Sequence, residues 1–323
     1  MITGKRILMT GGRGFLGSHL VKRLHADNHI IVVDNMRRDA LQYITEIEAG
    51  KHYEFHQRDV TEEGALDDLL EGTNIVIHLA AVAGVSNYVK HPATTLENNL
   101  LGTYRVLRSI RGRPIDRFLN YSTSEVYGPR AVSVQESQPT VQGPIGEARW
   151  SYAVSKTAAE HLCFAYHQEY KLPTVSVRPF NIFGPGQVGE GAVHDISMRA
   201  LRDETVSVTG DGQQVRTWCF IDDMTDASLL LLTRSEAVGK VFNVGNSEPV
   251  VPMIDLAKKI IELSGSKSKI EYVKHIEADV MLRSPNVKRI KEELGFSPTV
   301  PLEVGLQKAI DWYREHLDAS SAV

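Results

Sequence analysis

The chain has 323 residues, 42% hydrophobic and 24% charged, an ordinary globular composition long enough for one large core or a major domain with a smaller partner. Its net charge of -4 argues against a nucleic acid or an anionic membrane surface as partner, because neither polyanion would be attracted overall. No apolar run reaches the ~20 residues that span a bilayer. The opening MITGKRILMTGG enters a strand at once, which leaves no room for a signal peptide and makes the cytoplasm the default location. Cys163 and Cys219 show no CxxC spacing, so two buried thiols in a reducing compartment are expected. The basic groups Arg37-Arg38 and Arg111/Arg113 read as solvated loop charges.

Taken in order, RILMT (6–10) reads as a strand and Phe15 to Ala26 carries helical spacing. HIIVVD (29–34) is a second strand and YEFHQRDV (53–60) a third, followed by a polar helix near 62–71. NIVIHLA (74–80) is continuously apolar, as expected of a strand covered on both faces. A helix within 94–110, the run RFLNYS, a helix from about 151 to 170 and the strand TVSVRP (174–179) follow. Strands alternating with helices imply right-handed βαβ crossovers and an α/β Rossmann fold with a doubly wound parallel sheet. Beyond Pro179 come the glycine-rich GPGQVGEGA, short elements to about Leu317, and a tail, DASSAV, expected to fray. The reading assigns residues 1–180 to a dinucleotide-binding domain, with a segment near 215–245 returning to it. Residues 181–323 form mainly a smaller α/β lobe over the C-terminal edge of the sheet, where open α/β folds bind ligands.

MTGGRGFLGSHL places Gly11, Gly14 and Gly17 between a strand and a helix. Glycines there allow a tight turn and close approach of a pyrophosphate to a helix N-terminus. A turn serving only packing is the alternative, but Asp34 ends the next strand, where a carboxylate would accept from ribose hydroxyls and repel a 2′-phosphate. NAD is therefore favoured over NADP, with Arg37 and Arg38 keeping NADP as a minor option. Asp59 and Val60 would fall near the adenine.

NYSTSEVYG ends a strand with Thr123, Ser124 and Glu125 in a row, either a hydrogen-bonded turn or the rim of a site. SYAVSK puts Tyr152 and Lys156 four apart on one helix face. An ammonium beside a phenol would lower its pKa and let the tyrosinate take a proton near neutral pH. Alone, such a pair is a common accident; with a dinucleotide site and a hydroxyl cluster it becomes a catalytic candidate.

Together, TGGRGFLG, HLAA (78–81), NLLGT (99–103), STSEVYG, YAVSK, RPFNIFGPG (178–186), GDGQQVRTWCFIDD (210–223) and FNVGN (242–246) resemble an extended short-chain dehydrogenase/reductase. The group resembled is that of the nucleotide-sugar epimerases, dehydratases and decarboxylases, from about Lys5 to Leu317. The resemblance implies that Tyr152 deprotonates a sugar hydroxyl, usually O4, while the C4 hydride passes to NAD. It implies that Lys156 binds the nicotinamide ribose and that Thr123 shares the hydrogen bond to that oxygen. Cofactor contacts would come from Gly11, Gly14, Phe15, Leu16, Gly17, Asp34, Asn35, Asp59, Val60, Leu79, Ala80, Ala81 and Asn98, besides Tyr152 and Lys156. Asn181 and Arg216 would hold the nucleotide diphosphate, a surface salt bridge being the alternative for Arg216.

The reaction stays open among three. A simple 4-epimerase needs no second acid or base, whereas Glu125, beside Ser124, suggests chemistry at a 4-keto stage. UDP-glucuronate decarboxylases carry Thr-Ser-Glu here, and GPIGEARWSYAVSK and SNY (86–88) resemble their catalytic-helix entry and substrate-carboxylate loop. On that basis Ser86, Tyr88 and Arg283 are substrate contacts. Yet Ser284, Asn286 and Val287 depart from the decarboxylase wording around that arginine, and some uronate 4-epimerases also carry Thr-Ser-Glu. Decarboxylase is named first because Glu125 then has a clear task; 4-epimerase of UDP-glucose or UDP-glucuronate stands level, and 4,6-dehydratase behind. A dinucleotide-sensing protein without catalysis is the non-enzyme alternative. No HExxH-like spacing occurs, so no metal is expected, and His78 reads as a satisfied core or rim histidine. Tyr104, Leu107, Leu162 and Tyr166 are expected to expose apolar surface, and the resemblance implies a homodimer through helices 94–110 and 151–170.

Overall fold

A computed structural model describes residues 2–43, 47, 52–274 and 280–317; the tail expected to fray lies outside the described residues. The first half runs β1 (Arg6–Thr10), α1 (Phe15–Leu24), β2 (His29–Asp34), β3 (Tyr53–Gln57), β4 (Ile75–His78), α2 (Val85–Lys90), α3 (Pro92–Ile110) and β5 (Arg117–Tyr121). A 3₁₀ turn at Ser124–Tyr127 leads to β6 (Arg130–Val134), α4 (Trp150–Tyr170), β7 (Thr174–Pro179), β8 (Ile182–Phe183), α5 (Ala192–Leu201) and β9 (Val206–Thr209). There follow β10 (Val215–Arg216), β11 (Cys219–Phe220), α6 (Ile221–Thr233), β12 (Val241–Val244), β13 (Val251–Pro252) and α7 (Met253–Ser264). β14 (Ile270–Val273), β15 (Leu282–Pro285), α8 (Lys288–Leu294) and α9 (Leu302–Glu315) complete the order.

The expected doubly wound sheet is present. Seven strands pair in the order β12-β7-β5-β4-β1-β2-β3, every pair parallel. Ile7, Leu8, Met9, Val76, Ile77, Phe118 and Leu119 have no exposed surface, which is why these strands read as unbroken apolar runs. The sequence order reverses between β1 and β4, the crevice where such sheets bind ligands. β12, late in the chain, pairs with β7 at one edge.

Two expectations fail locally. Residues 62–71 form turns and no helix: Gly64 takes φ +75°, and Asp67 N bonds Gly64 O at 3.1 Å while Leu69 N bonds Leu66 O at 2.9 Å. A left-handed glycine breaks the helical ladder, and the buried Leu66, Leu69 and Leu70 supply the packing instead. Leu107 and Tyr166, expected to be exposed, are buried, because they face the sheet rather than solvent. The large apolar residues that α3 and α4 expose are Leu100, Leu101, Tyr104, Val154, Phe164 and Tyr170.

Cys163 and Cys219 are buried free thiols, as expected. His78 is a core residue, its ring nitrogens 2.7 Å from Thr10 Oγ1 and 3.0 Å from Thr103 Oγ1, and burial holds its pKa down to about 3. A second sheet, β13-β10-β15-β6, matters for function because β10 and β15 run parallel with Arg216 opposite Arg283.

Candidate active site

A cavity of about 1010 Å³ opens at the reversal point, over the C-terminal ends of β1, β2 and β4. Every cofactor residue named from the sequence lines it except Tyr152 and Lys156. The Gly11 backbone sits at φ +72°, and a Cβ there would lie 2.5 Å from Ala80 N. Gly17 lets α1 start against the turn, since its Cβ would lie 2.6 Å from Gly11 O. Gly14 precedes the helix without a side-chain cap, and a Cβ there would meet nothing closer than Gly11 O at 3.4 Å. Asp34 receives Arg13 N at 3.1 Å and Met36 N at 2.8 Å, and its burial raises its carboxyl pKa. Asn35 Nδ2 donates to Asp59 at 3.0 Å, joining a residue expected to contact the cofactor to one of the pair expected near the adenine. An uncapped helix start, a glycine cradle and an acid at the end of β2 fit a dinucleotide.

Beyond the cavity lies a buried set on α4 and the 3₁₀ turn. Tyr152 is half-buried, hydrogen-bonded to Thr123, and stacked on Tyr88 with ring centroids 5.5 Å apart and planes 15° apart. Thr123 Oγ1 also accepts from Glu125 N at 3.2 Å, so the hydroxyl both caps the turn and meets the phenol. The expected lowering of the phenol pKa by Lys156 is not what the structure shows. Burial, then the charge of Glu125, pushes Tyr152 up, and only Thr123 and Arg38 pull it down. Lys156 instead donates to Tyr121 O at 2.7 Å, and burial lowers its own pKa to about 8. The lysine is thus held at the end of β5, the strand that delivers Thr123.

Glu125 lies in a cluster of guanidinium groups. Its Oε1 accepts from Arg283 Nη1 at 2.5 Å and from Arg149 Nη2 at 3.5 Å. Burial alone would raise its pKa, but the charge and hydrogen bond of Arg283, then Arg149 and Arg216, bring it down to about 2. Arg283 Nε and Nη2 and Arg149 Nε are buried without hydrogen-bond partners, so the cluster has more donors than acceptors. Arg149, the N-cap of α4, was missed by the sequence reading; its place ahead of Tyr152 in EARWSY puts both on one helix face, the signal that could have found it.

Other placements differ from one another. Asn181 adopts φ +44° and donates to Thr217 O at 2.8 Å. Ser86 is bound by Glu190, a residue of the cavity lining: its hydroxyl and, at 3.3 Å, its N–H donate to the Glu190 carboxylate. Beneath the site Glu160, one turn after Lys156, accepts from Ser122 Oγ and from Arg178 at 2.8 and 2.6 Å. Arg178 reaches on to Tyr127 OH at 2.7 Å, linking α4, β7 and the turn that carries Glu125. The sequence reading did not single out Glu160, Arg178 or Glu190. Among the described residues no three His, Cys, Asp or Glu side chains gather to hold a metal.

The family model described as the NAD dependent epimerase/dehydratase family matches residues 7–245. The chain is 32% identical over 322 residues to a UDP-N-acetyl-alpha-D-glucosaminuronate decarboxylase of Bacillus cytotoxicus, covering 96% of this chain and 98% of that one. It is 33% identical over 318 residues to UDP-glucuronic acid decarboxylase 1 of Xenopus tropicalis, covering 97% of this chain and 73% of that one. A solved UDP-glucuronic acid 4-epimerase of Bacillus cereus, in complex with UDP-glucuronic acid and NAD, superposes with a TM-score of 0.88 at 28% identity, covering 96% of this chain and 99% of that one.

Proposed function

The chain belongs to the NAD dependent epimerase/dehydratase family of nucleotide-sugar enzymes, and from that premise we propose that it is a UDP-glucuronate decarboxylase. The observation that carries this reading is Glu125, an ionised acid held by Arg283 and Arg149 beside the Tyr152–Thr123 pair. A buried surplus of guanidinium groups is matched by a sugar that brings its own carboxylate. Similarity to decarboxylases of acidic nucleotide sugars supports the same substrate class.

In this reading the glycine cradle, Asp34 and Asn35 would hold NAD, which would supply reversible hydride chemistry at C4 of the sugar. Tyr152 removes the O4 proton and Thr123 shares that oxygen. Lys156, seated on Tyr121 O, would bind the nicotinamide ribose. Oxidation at C4 makes the C5 carboxylate part of a β-keto acid. The bond from C5 to the carboxylate then breaks, its electron pair enters the enolate of the ketone, and carbon dioxide leaves. A proton returns to C5 and the carbonyl is reduced again, so the net change is one proton taken up and one carbon dioxide lost. Arg283 orients the acid, while Asn181 and Arg216 hold the diphosphate.

Uronate 4-epimerisation is the second reading, supported by the likeness to the solved 4-epimerase. A 4,6-dehydratase stands behind both, because Glu125, which would have to take the C5 proton, is already held by Arg283 and Arg149. The deciding experiment is mass analysis of the product from UDP-glucuronate and NAD. A product lighter by carbon dioxide supports decarboxylation; a product of unchanged mass establishes epimerisation instead.

The domain division belongs to the same proposal: residues 1–180, with the returning segment near 215–245, hold the dinucleotide, and 181–323 mainly the nucleotide sugar. So does a homodimer through α3 and α4, supported by the exposed Leu100, Leu101, Phe164 and Tyr170. No helix among the described residues is long and apolar enough to cross a membrane. A cytoplasmic location is part of the same proposal, supported by membership of the NAD dependent epimerase/dehydratase family.

A further inference from the structure

A buried active site that holds a glutamate and admits an acidic sugar must separate two negative charges. Among the described residues Glu125 Oε1 has two guanidinium partners on different elements, Arg283 on β15 and Arg149 at the start of α4. Arg283 is 6% exposed in its side chain and Arg149 11%, so neither charge is screened by bulk water. The contacts are unequal, 2.5 Å to Arg283 and 3.5 Å to Arg149, and each guanidinium keeps a buried N–H without a partner. The charge of Glu125 also acts on Tyr88 and Tyr152, and Arg216 adds a third positive charge.

We propose that Arg149 is a positioning and specificity-determining residue: when a substrate carboxylate takes Arg283, Glu125 passes to Arg149, so that each acid keeps its own cation. This rests on the acidic-sugar reading above, though not on which reaction follows. Without Arg149, and with Arg216 given over to the diphosphate, an acidic sugar at Arg283 would leave Glu125 buried beside a like charge with one cation shared between them, an arrangement in which one acid must lose its charge or the ligand must leave. A neutral sugar brings no second charge and makes no such demand. Arg149 therefore discriminates by charge count rather than by touching the sugar.

The test is calorimetric titration of the NAD-loaded protein with UDP-glucuronate, UDP-glucose and UDP. The wild type binds UDP-glucuronate more tightly than UDP-glucose. Arg149→Gln weakens UDP-glucuronate by about tenfold or more and leaves UDP-glucose and UDP within about twofold. Adding Glu125→Gln to Arg149→Gln removes the uncompensated charge and restores affinity for UDP-glucuronate, a recovery that a purely structural arginine would not give. Equal loss for both sugars, or no recovery in the double variant, overturns the proposal. Should Arg149→Gln lose UDP binding altogether through misfolding, Arg149→Lys decides: it retains the preference for the acidic sugar, and loss of that preference alone rejects the idea. A wild type without the preference refutes the acidic-sugar reading itself. A product of unchanged mass refutes only decarboxylation and leaves the role of Arg149 standing.

Discussion

Glu125 and Arg283 stand 158 positions apart in the chain and meet at 2.5 Å in a buried ion pair. One arrives on the 3₁₀ turn after β5, the other on β15 of the second sheet. The pair ties the part of the chain that carries Tyr152 and Thr123 to the part that carries Arg216, so its charge state bears on both stability and chemistry.

The first expectation concerns acid stability. Glu125 has a folded pKa of about 2 against an ordinary 4.5, so its stabilisation is complete above about pH 4.5 and disappears as pH falls through about 2. Glu125→Gln should lower stability at neutral pH by on the order of 3 kcal/mol. Urea unfolding of wild type and variant should give curves that converge between pH 4.5 and 2. A gap of constant size across that range would assign the loss to packing alone.

Tyr152→Phe should reduce turnover about 100- to 10,000-fold, the usual worth of a positioned general base. Affinity for the nucleotide sugar should change little, because the stacking of ring 152 on Tyr88 survives the loss of the hydroxyl. Single-turnover rates and calorimetry separate the two effects, and full activity in the variant would remove Tyr152 from the chemistry.

Lys156 has a pKa lowered to about 8 by burial, so its ammonium is present below pH 8 and is lost as pH rises through it. Turnover should therefore decline on the alkaline side with a midpoint near 8. Lys156→Arg, whose guanidinium stays charged, should shift that decline upward even where its absolute rate is lower. An identical alkaline limb in both proteins would assign it to another group.

Gly17 and Gly14 should part company on substitution. Gly17→Ala forces a Cβ to within 2.6 Å of Gly11 O and Gly12 Cα, both backbone, and should cost about 1–3 kcal/mol in thermal or urea unfolding. Gly14→Ala meets only Gly11 O at 3.4 Å and should leave stability nearly unchanged while weakening NAD binding. Unaltered NAD affinity in Gly14→Ala would mean that the dinucleotide does not approach this turn.

Much of the fold was legible because it is local. The alternation of apolar strands with amphipathic helices depends on near neighbours, and the parallel sheet follows from it. The glycine turn and Asp34 could be placed at one cavity from spacing alone, since a βαβ unit brings the ends of β1 and β2 together. Where a single backbone angle decided, as at Gly64, periodicity gave a helix and the chain made turns.

By itself, then, the amino-acid order determined the Rossmann sheet and the dinucleotide cavity, both built from contacts between residues close in sequence or in a repeated crossover, and its motifs carried the resemblance to the family. The tertiary structure alone decided how the charges in the site are shared. Register between β10 and β15 sets Arg216 beside Arg283. Burial drives the Tyr152 phenol up, and Lys156 is turned to Tyr121 O. Arg149 joins Glu125 only because α4 begins next to the turn that follows β5. Such partners lie on separate elements, and the strength of each charge depends on how much water the packed chain leaves around it.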